Sequence, residues 1–135
     1  MKKFTKMCAV AACALFAGAV SVNAEDYTWK SVTAGDATTW GIRSDGSLWS
    51  WGWNEKGQGG NGVSERTATP TLADGNRVWK KVVGGKAYGF FLAEDGSLWA
   101  AGTAESGVQG TNDGVDHKVL TRIGTDNDWA DMACS

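Results

Sequence analysis

The chain has 135 residues, with 13 lysines and arginines against 15 acidic side chains, a single histidine and three cysteines, for a formal net charge of −2. That length accommodates one small domain. The charge balance argues against a nucleic-acid partner, because phosphate binding needs a clustered positive field.

The first six residues place Lys2, Lys3 and Lys6 ahead of an uncharged run from Met7 to Val22 that is rich in Ala and Val. Val22-Asn23-Ala24 then offers small side chains where a signal peptidase reads, and Glu25-Asp26 opens a polar stretch. The expectation is a signal peptide over 1–24, cleaved after Ala24, and a secreted or periplasmic location. No stable membrane anchor is expected, since Cys8, Cys13, Gly18 and Ser21 weaken the run and no basic cluster follows it. Too little apolar sequence precedes Cys13 for lipidation there. Cleavage would leave ten basic against fifteen acidic side chains, a net charge of −5, and Cys134 as the remaining cysteine. One cysteine supports neither an intrachain disulfide nor a cysteine metal site.

The expected domain, 25–135, is organised by a repeat. Asp45-Gly46-Ser47-Leu48-Trp49 returns unchanged as Asp95-Gly96-Ser97-Leu98-Trp99, and 29–60 laid over 79–110 without a gap is identical at 14 of 32 positions. A period of this size marks stacked supersecondary units, none of which buries its own apolar face alone. Repeat one is assigned to 29–78, repeat two to 79–128, and the start of a third to 129–135.

Within repeat one, Trp29 to Val32 reads as a strand ending at Ala34-Gly35. Thr38 to Arg43 is a second strand with Thr38, Trp40 and Ile42 on one face. Asp45-Gly46 predicts a type I′ hairpin turn with Gly46 at its second central position, and Asp95-Gly96 predicts another. The return strand, Leu48 to Gly52, alternates Leu48 and Ser50 with Trp49 and Trp51, so both faces are partly apolar, as in a sheet packed between two others. The glycine-rich segment 53–62 reads as a structured loop, and Pro70-Thr71-Leu72 as a short edge strand. Repeat two follows the same plan with Trp79 to Val83, Tyr88 to Ala93 and Leu98 to Gly102. No segment has helical periodicity.

Trp29, Val32, Ala34, Gly35, the Asp-Gly-Ser-Leu-Trp motif, Trp51-Gly52-x-Asn54-x-x-Gly57-Gln58-x-Gly60 and Pro70 together resemble the regulator of chromosome condensation repeat family, over residues 29–135. The resemblance implies an all-β fold: β-propeller blades of four-stranded antiparallel sheets, usually seven to a ring, here an incomplete ring of about two blades. It also implies that binding is done by variable loops on the rims. This chain has Gly59 in place of the family's usual leucine, Ala101-Gly102-Thr103-Ala104 in place of the Trp-Gly-x-Asn step, and Leu120 in place of the proline. The nucleotide-exchange and chromatin roles of the founding member are not expected of an exported, acidic chain. The chain is similar instead to secreted bacterial propellers of this repeat type, some of which inhibit β-lactamases.

Catalytic chemistry is poorly supplied, and no enzyme is expected. His117 is the sole histidine, assigned to an irregular stretch after Gly110, and no Gly-x-Ser-x-Gly motif accompanies it. Asp126-Asn127-Asp128 and Asn112 to Asp116 read as turns, because the distal Glu of a calcium loop is missing. Gly57 to Gly60 lacks the Lys-Ser/Thr of a phosphate loop. No metal and no cofactor are expected. Of the eight tryptophans, Trp29, Trp49, Trp79, Trp99 and Trp129 hold repeated positions and are assigned to packing. Trp53 and Trp40, whose counterparts are Thr103 and Phe90, are candidate binding residues, with Asn54 and Arg66 in rim loop 53–70 and His117 in rim loop 103–120. The function expected is binding of another protein through these loops. The alternative is carbohydrate binding at the cell envelope, with Trp53 and Trp40 as stacking platforms. Two repeats fall below the usual floor of about three, so self-association or further repeats are expected to cover the end faces.

Overall fold

A computed structural model describes residues 27–134. The signal-peptide assignment lies outside the described residues. Eight strands form in chain order: β1 (Trp29–Ala34), β2 (Thr38–Arg43), β3 (Leu48–Gly52), β4 (Thr67–Asp74), β5 (Trp79–Gly84), β6 (Tyr88–Ala93), β7 (Leu98–Gly102) and β8 (His117–Ile123). Each set of four pairs in sequence order into an antiparallel sheet, β1-β2-β3-β4 and β5-β6-β7-β8. The registers repeat at the 50-residue offset: Trp40 faces Ser50 as Phe90 faces Ala100. Among the described residues the one helical element is a single 3-10 turn, Glu105–Gly107.

The hairpin turns differ from the type I′ expectation. Gly46 N–H donates to Arg43 O (2.9 Å) and Arg43 N–H to Ser47 O (3.0 Å), with the same pattern at Gly96, Ala93 and Ser97. Positive φ falls on Gly46 (86°) and Gly96 (79°) but not on Asp45 or Asp95. The cause is the aspartate side chain: Asp45 Oδ1 accepts both the Ser47 N–H (2.9 Å) and the Ser47 hydroxyl (2.6 Å), which sets a longer turn with one left-handed residue. The outer strands are also longer than the three residues expected at Pro70. β4 runs eight residues, bent by two irregularities in register, and β8 takes in His117, which opens a strand instead of lying in an irregular stretch.

The core lies between the sheets. Trp40, Ile42 and Leu48 from the first meet Trp79, Val82 and Phe91 from the second, all nearly or fully buried. Trp40 stands edge-on to Phe91 with centroids 6.2 Å apart, and Trp79 is edge-on to both Phe91 and Trp99. Glycine makes this approach possible: a Cβ on Gly84 would come within 2.2 Å of the Trp40 ring, and one on Gly89 within 3.2 Å of it. At the outer end, Asn61 bridges Val119 of β8 and Gly62 N–H donates to Lys118 O (2.8 Å), so the loop after β3 clasps the next sheet.

The repeated tryptophans do not share one environment. Trp79 is fully buried, Trp49 and Trp99 are half-buried, and Trp29 and Trp129 are 40% and 42% exposed, because no sheet among the described residues covers the outer face of β1 or the stretch after β8. Residues 128–134 form no strand, yet Trp129 N–H donates to Gly96 O (3.2 Å) as Trp79 N–H donates to Gly46 O (3.0 Å).

Candidate functional site

The five candidate residues divide sharply. Trp40 is 1% exposed, with its indole N–H donating to Gln58 O (3.0 Å). A ring sealed between two sheets cannot stack on a sugar, so the stacking role expected of Trp40 is corrected to packing. Asn54 is also buried and acts on its own loop: its amide NH2 donates to Asn61 Oδ1 (3.2 Å) and Val63 O (3.0 Å), and its Oδ1 accepts the Gly59 N–H (2.7 Å). With donors and acceptor all engaged, Asn54 shapes the rim and does not contact a partner. At Gly59 a Cβ would sit 2.8 Å from Ser50 Oγ and 3.0 Å from Asn54 Oδ1, so this packing has no room for a larger side chain.

Trp53 is half-buried at the exit of β3, its backbone held by Ala37 O (2.8 Å) and the Thr38 hydroxyl (2.5 Å). Arg66 is exposed. Between them Val63, 42% exposed, and Glu65 face solvent.

The second rim loop is built on different residues. Where Asn54 stood, Ala104 has no side chain to organise a turn, and Asp116 takes over: its Oδ1 accepts the Ala104 N–H (2.9 Å) and the Thr103 hydroxyl (3.2 Å). The Ala104 N–H, with help from Thr103 and from Lys56 at 3.4 Å, holds this carboxyl below the usual carboxylate range. His117 is pinned between two oxygens, Gln109 Oε1 at 2.7 Å from Nδ1 and Asp113 Oδ2 at 3.0 Å from Nε2. Asp113 is likewise held low, chiefly by the Val115 N–H and the Thr111 hydroxyl. Gln109 in turn donates to Gly102 O (2.5 Å) and is 1% exposed. With Gln109 on one ring nitrogen and Asp113 on the other, His117 ties together both ends of the loop. The cluster leaves Val115, 56% exposed, at the surface.

Sequence reading missed Asp116 and Gln109. The signal was faint: Gln109 is displaced by one from the repeat position of Gln58, and Asp116 lies in a stretch that reads as turn residues. Among the described residues no group of three or more His, Cys, Asp or Glu side chains could hold a metal ion. A cavity of about 260 Å³ opens on this loop, lined by Ala104, Gly107, Gln109, Gly110, Thr111 and Asn112.

Two sheets of four antiparallel strands, stacked face to face at a 50-residue period with a glycine loop clasping the next sheet, are consecutive propeller blades. The regulator of chromosome condensation (RCC1) repeat matches twice, over residues 29–58 and 45–92. Over residues 29–92 the chain is therefore similar to RCC1 repeats. No curated protein matches it. Solved RCC1-type structures share the fold. Human WBSCR16 is 23% identical with a TM-score of 0.66, covering 73% of this chain and 26% of its own. Prp20p from Saccharomyces cerevisiae, whose structure was reported with its binding properties to Gsp1p and histones, is 22% identical with a TM-score of 0.67, covering 75% and 26%. Yeast RCC1 (Prp20) bound to Kap60 is 20% identical with a TM-score of 0.67, covering 78% and 28%. The chain thus spans about a quarter of the length of these proteins.

Proposed function

We propose that this RCC1-repeat chain is an exported, non-catalytic binding protein that holds another protein through the rim loops 53–70 and 103–120. The observation that carries the reading is that both loops are fastened from within while presenting an aliphatic side chain outward: Asn54 anchors the loop that exposes Val63, and Asp116 with Gln109 and His117 anchors the loop that exposes Val115. Loops fixed before contact lose little entropy on binding. Exposed valines flanked by Glu65, Arg66 and Asp113 suit a protein surface with an apolar centre and polar rim. Export rests on the Lys-rich start and the Val22-Asn23-Ala24 step. That Prp20p binds Gsp1p and histones and yeast RCC1 binds Kap60 supports protein partners for the repeat type.

A photo-crosslinking amino acid at Val63 or Val115 tests this in the exporting cell. A discrete adduct with one protein, lost on competition with unlabelled chain, is the expected result. Absence of any adduct, together with quenching of Trp53 fluorescence by envelope polysaccharide, would replace the reading by carbohydrate binding.

A further inference from the structure

Among the described residues, the leading face of the first blade and the outer part of the trailing side of the second are both uncovered. On the leading face of the first blade, Trp29 and Val32 are 40% and 54% exposed, whereas their counterparts Trp79 and Val82 are 0% and 4% exposed under the first blade. On the trailing side of the second blade the outer part of the seat, at the glycine loop, is open. A Cβ on Gly57 would lie 2.5 Å from Lys118 Cα and one on Gly60 2.9 Å from Leu120, yet Gly107 has nothing within 4 Å and Gly110 meets only Ile123 at 3.7 Å. The cavity lies there. Its rim keeps the clasp geometry: Asn112 holds φ 61° where Gly62, which binds Lys118 O, holds φ 85°. A non-glycine residue is kept left-handed there, although no strand among the described residues lies where its counterpart grips one.

We propose that two copies of this chain dock head to tail, the first blade of one copy seating on the second blade of the next, with its β4 entering the cavity. The internal interface is the template. Ala68, Thr69 and Pro70 of β4 are exposed and are the counterparts of Lys118, Val119 and Leu120, so Thr69 is placed to bridge Thr111 as Val119 bridges Asn61. Volumes match across the new contact. Internally the large Trp40 faces Gly84 and Gly89; at the ends the smaller Phe90 meets Ala34 and Thr39, the residues at the positions of those glycines. One charged contact is regained one residue away from the template position. The Lys56–Asp116 pair crosses the internal interface at 3.4 Å, and its counterparts are Ser106 and Arg66, which brings Arg66 of the incoming copy beside the exposed Glu105.

Residues 129–132 stand in the way. Trp129 N–H occupies Gly96 O, as an incoming inner strand would, and Lys81 holds Asp131 at 2.5 Å and Met132 O at 2.8 Å. Docking therefore releases this stretch, and removing it strengthens assembly. The contact joins unlike surfaces, so it propagates until a ring closes. A closed propeller of about four to eight blades corresponds to about two to four copies.

Sedimentation equilibrium of the full chain tests the proposal without any outside partner, so its failure leaves the protein-binding reading standing. Reversible association to whole multiples of the chain mass is expected, stronger in a chain ending at Asp128. Val32→Glu on the leading face and Thr111→Trp in the cavity should each give monomers, and their mixture a one-to-one dimer and nothing larger. Should either variant fail to fold, as judged by its melt, Arg66→Glu should weaken assembly and Glu105→Lys restore it. A full chain that stays monomeric throughout, single variants that assemble like the parent, folded single variants that do not pair when mixed, or a charge reversal without rescue would each overturn it. So would a monomer whose residues 1–26 cross-link to Val32, which would make the chain's own leader the occupant.

Discussion

The indole N–H of Trp40 donates to the backbone carbonyl of Gln58 across 3.0 Å, where both side chains are sealed from solvent. That bond ties β2 to the glycine loop after β3, so one side chain fixes a strand, a loop and the blade interface together. Trp40→Ala should destabilise the chain by about 3–5 kcal/mol, the range for emptying a buried aromatic site. Trp40→Phe keeps most of the ring but strands the Gln58 carbonyl, at a cost of roughly 1–3 kcal/mol. Trp53→Ala, at a half-buried position, should cost less than either, while it weakens partner binding if the rim reading holds. Urea denaturation ranks the three variants, and Trp53→Ala as the most damaging would refute the assignment.

Much of the fold was legible because the repeat writes it twice. The Asp-Gly-Ser-Leu-Trp motif places both hairpins, and β2, β3, β6 and β7 have the expected bounds. The burial of Trp40 is hidden from the repeat because its counterpart, Phe90, is a different aromatic, and departure from a repeat marks a changed neighbour as readily as a surface position. The informative signal lay elsewhere: glycine replaces Ala34 at position 84 and Thr39 at position 89, and these two losses of a side chain make the room that the larger ring fills. Pattern reading along one blade cannot see a volume exchanged across to the next. The second rim was harder still, since Asp116 does the work of Asn54 from the far side of the loop, at a position the repeat does not mark.

Gly46 separates two costs that usually come together. Its φ of 86° strains any L side chain, and a Cβ would also lie 2.7 Å from Val78 Cγ1 in the link that leads into the next blade. Gly114 has a similar φ of 66° and nothing within 4 Å. Gly114→Ala should therefore cost only backbone strain, about 1–2 kcal/mol, and Gly46→Ala distinctly more. Gly46→Val should be worse than both. Equal losses for the two alanine variants in thermal melts would mean that the contact with Val78 relaxes freely.

Asn54 is expected to matter for order in the rim more than for contact with a partner. Asn54→Ala leaves the Gly59 N–H and the Val63 carbonyl without their partner, a loss of about 1–3 kcal/mol when such groups remain buried. The damage should be local. Amide exchange ought to speed up across 55–63, including Gly62, while the β6 amides keep their protection. Uniform acceleration across both blades would instead make Asn54 a global support.

Acid should test the two hairpin turns together. The Ser47 hydroxyl, and then its N–H, hold the Asp45 carboxyl below the usual carboxylate range, and Ser97 does the same for Asp95. Both aspartates are exposed, so the effect is moderated by solvent. A folded-state pKa below the unfolded one means that the unfolded chain binds protons first as pH drops. The stabilisation is then fully present above the unfolded value, about 3.9, and is lost as pH falls through the lowered folded value. Asp45→Asn with Asp95→Asn removes the titration while keeping an oxygen acceptor at each turn. The double variant should be less stable than the parent near neutral pH, with the gap closing as the solution is acidified. Asp113 and Asp116, also held low by hydrogen bonds, leave the variant some acid sensitivity of its own. Stability curves for parent and variant that run parallel down through the acid limb would show that the Ser47 and Ser97 hydroxyls do not favour the ionised turn.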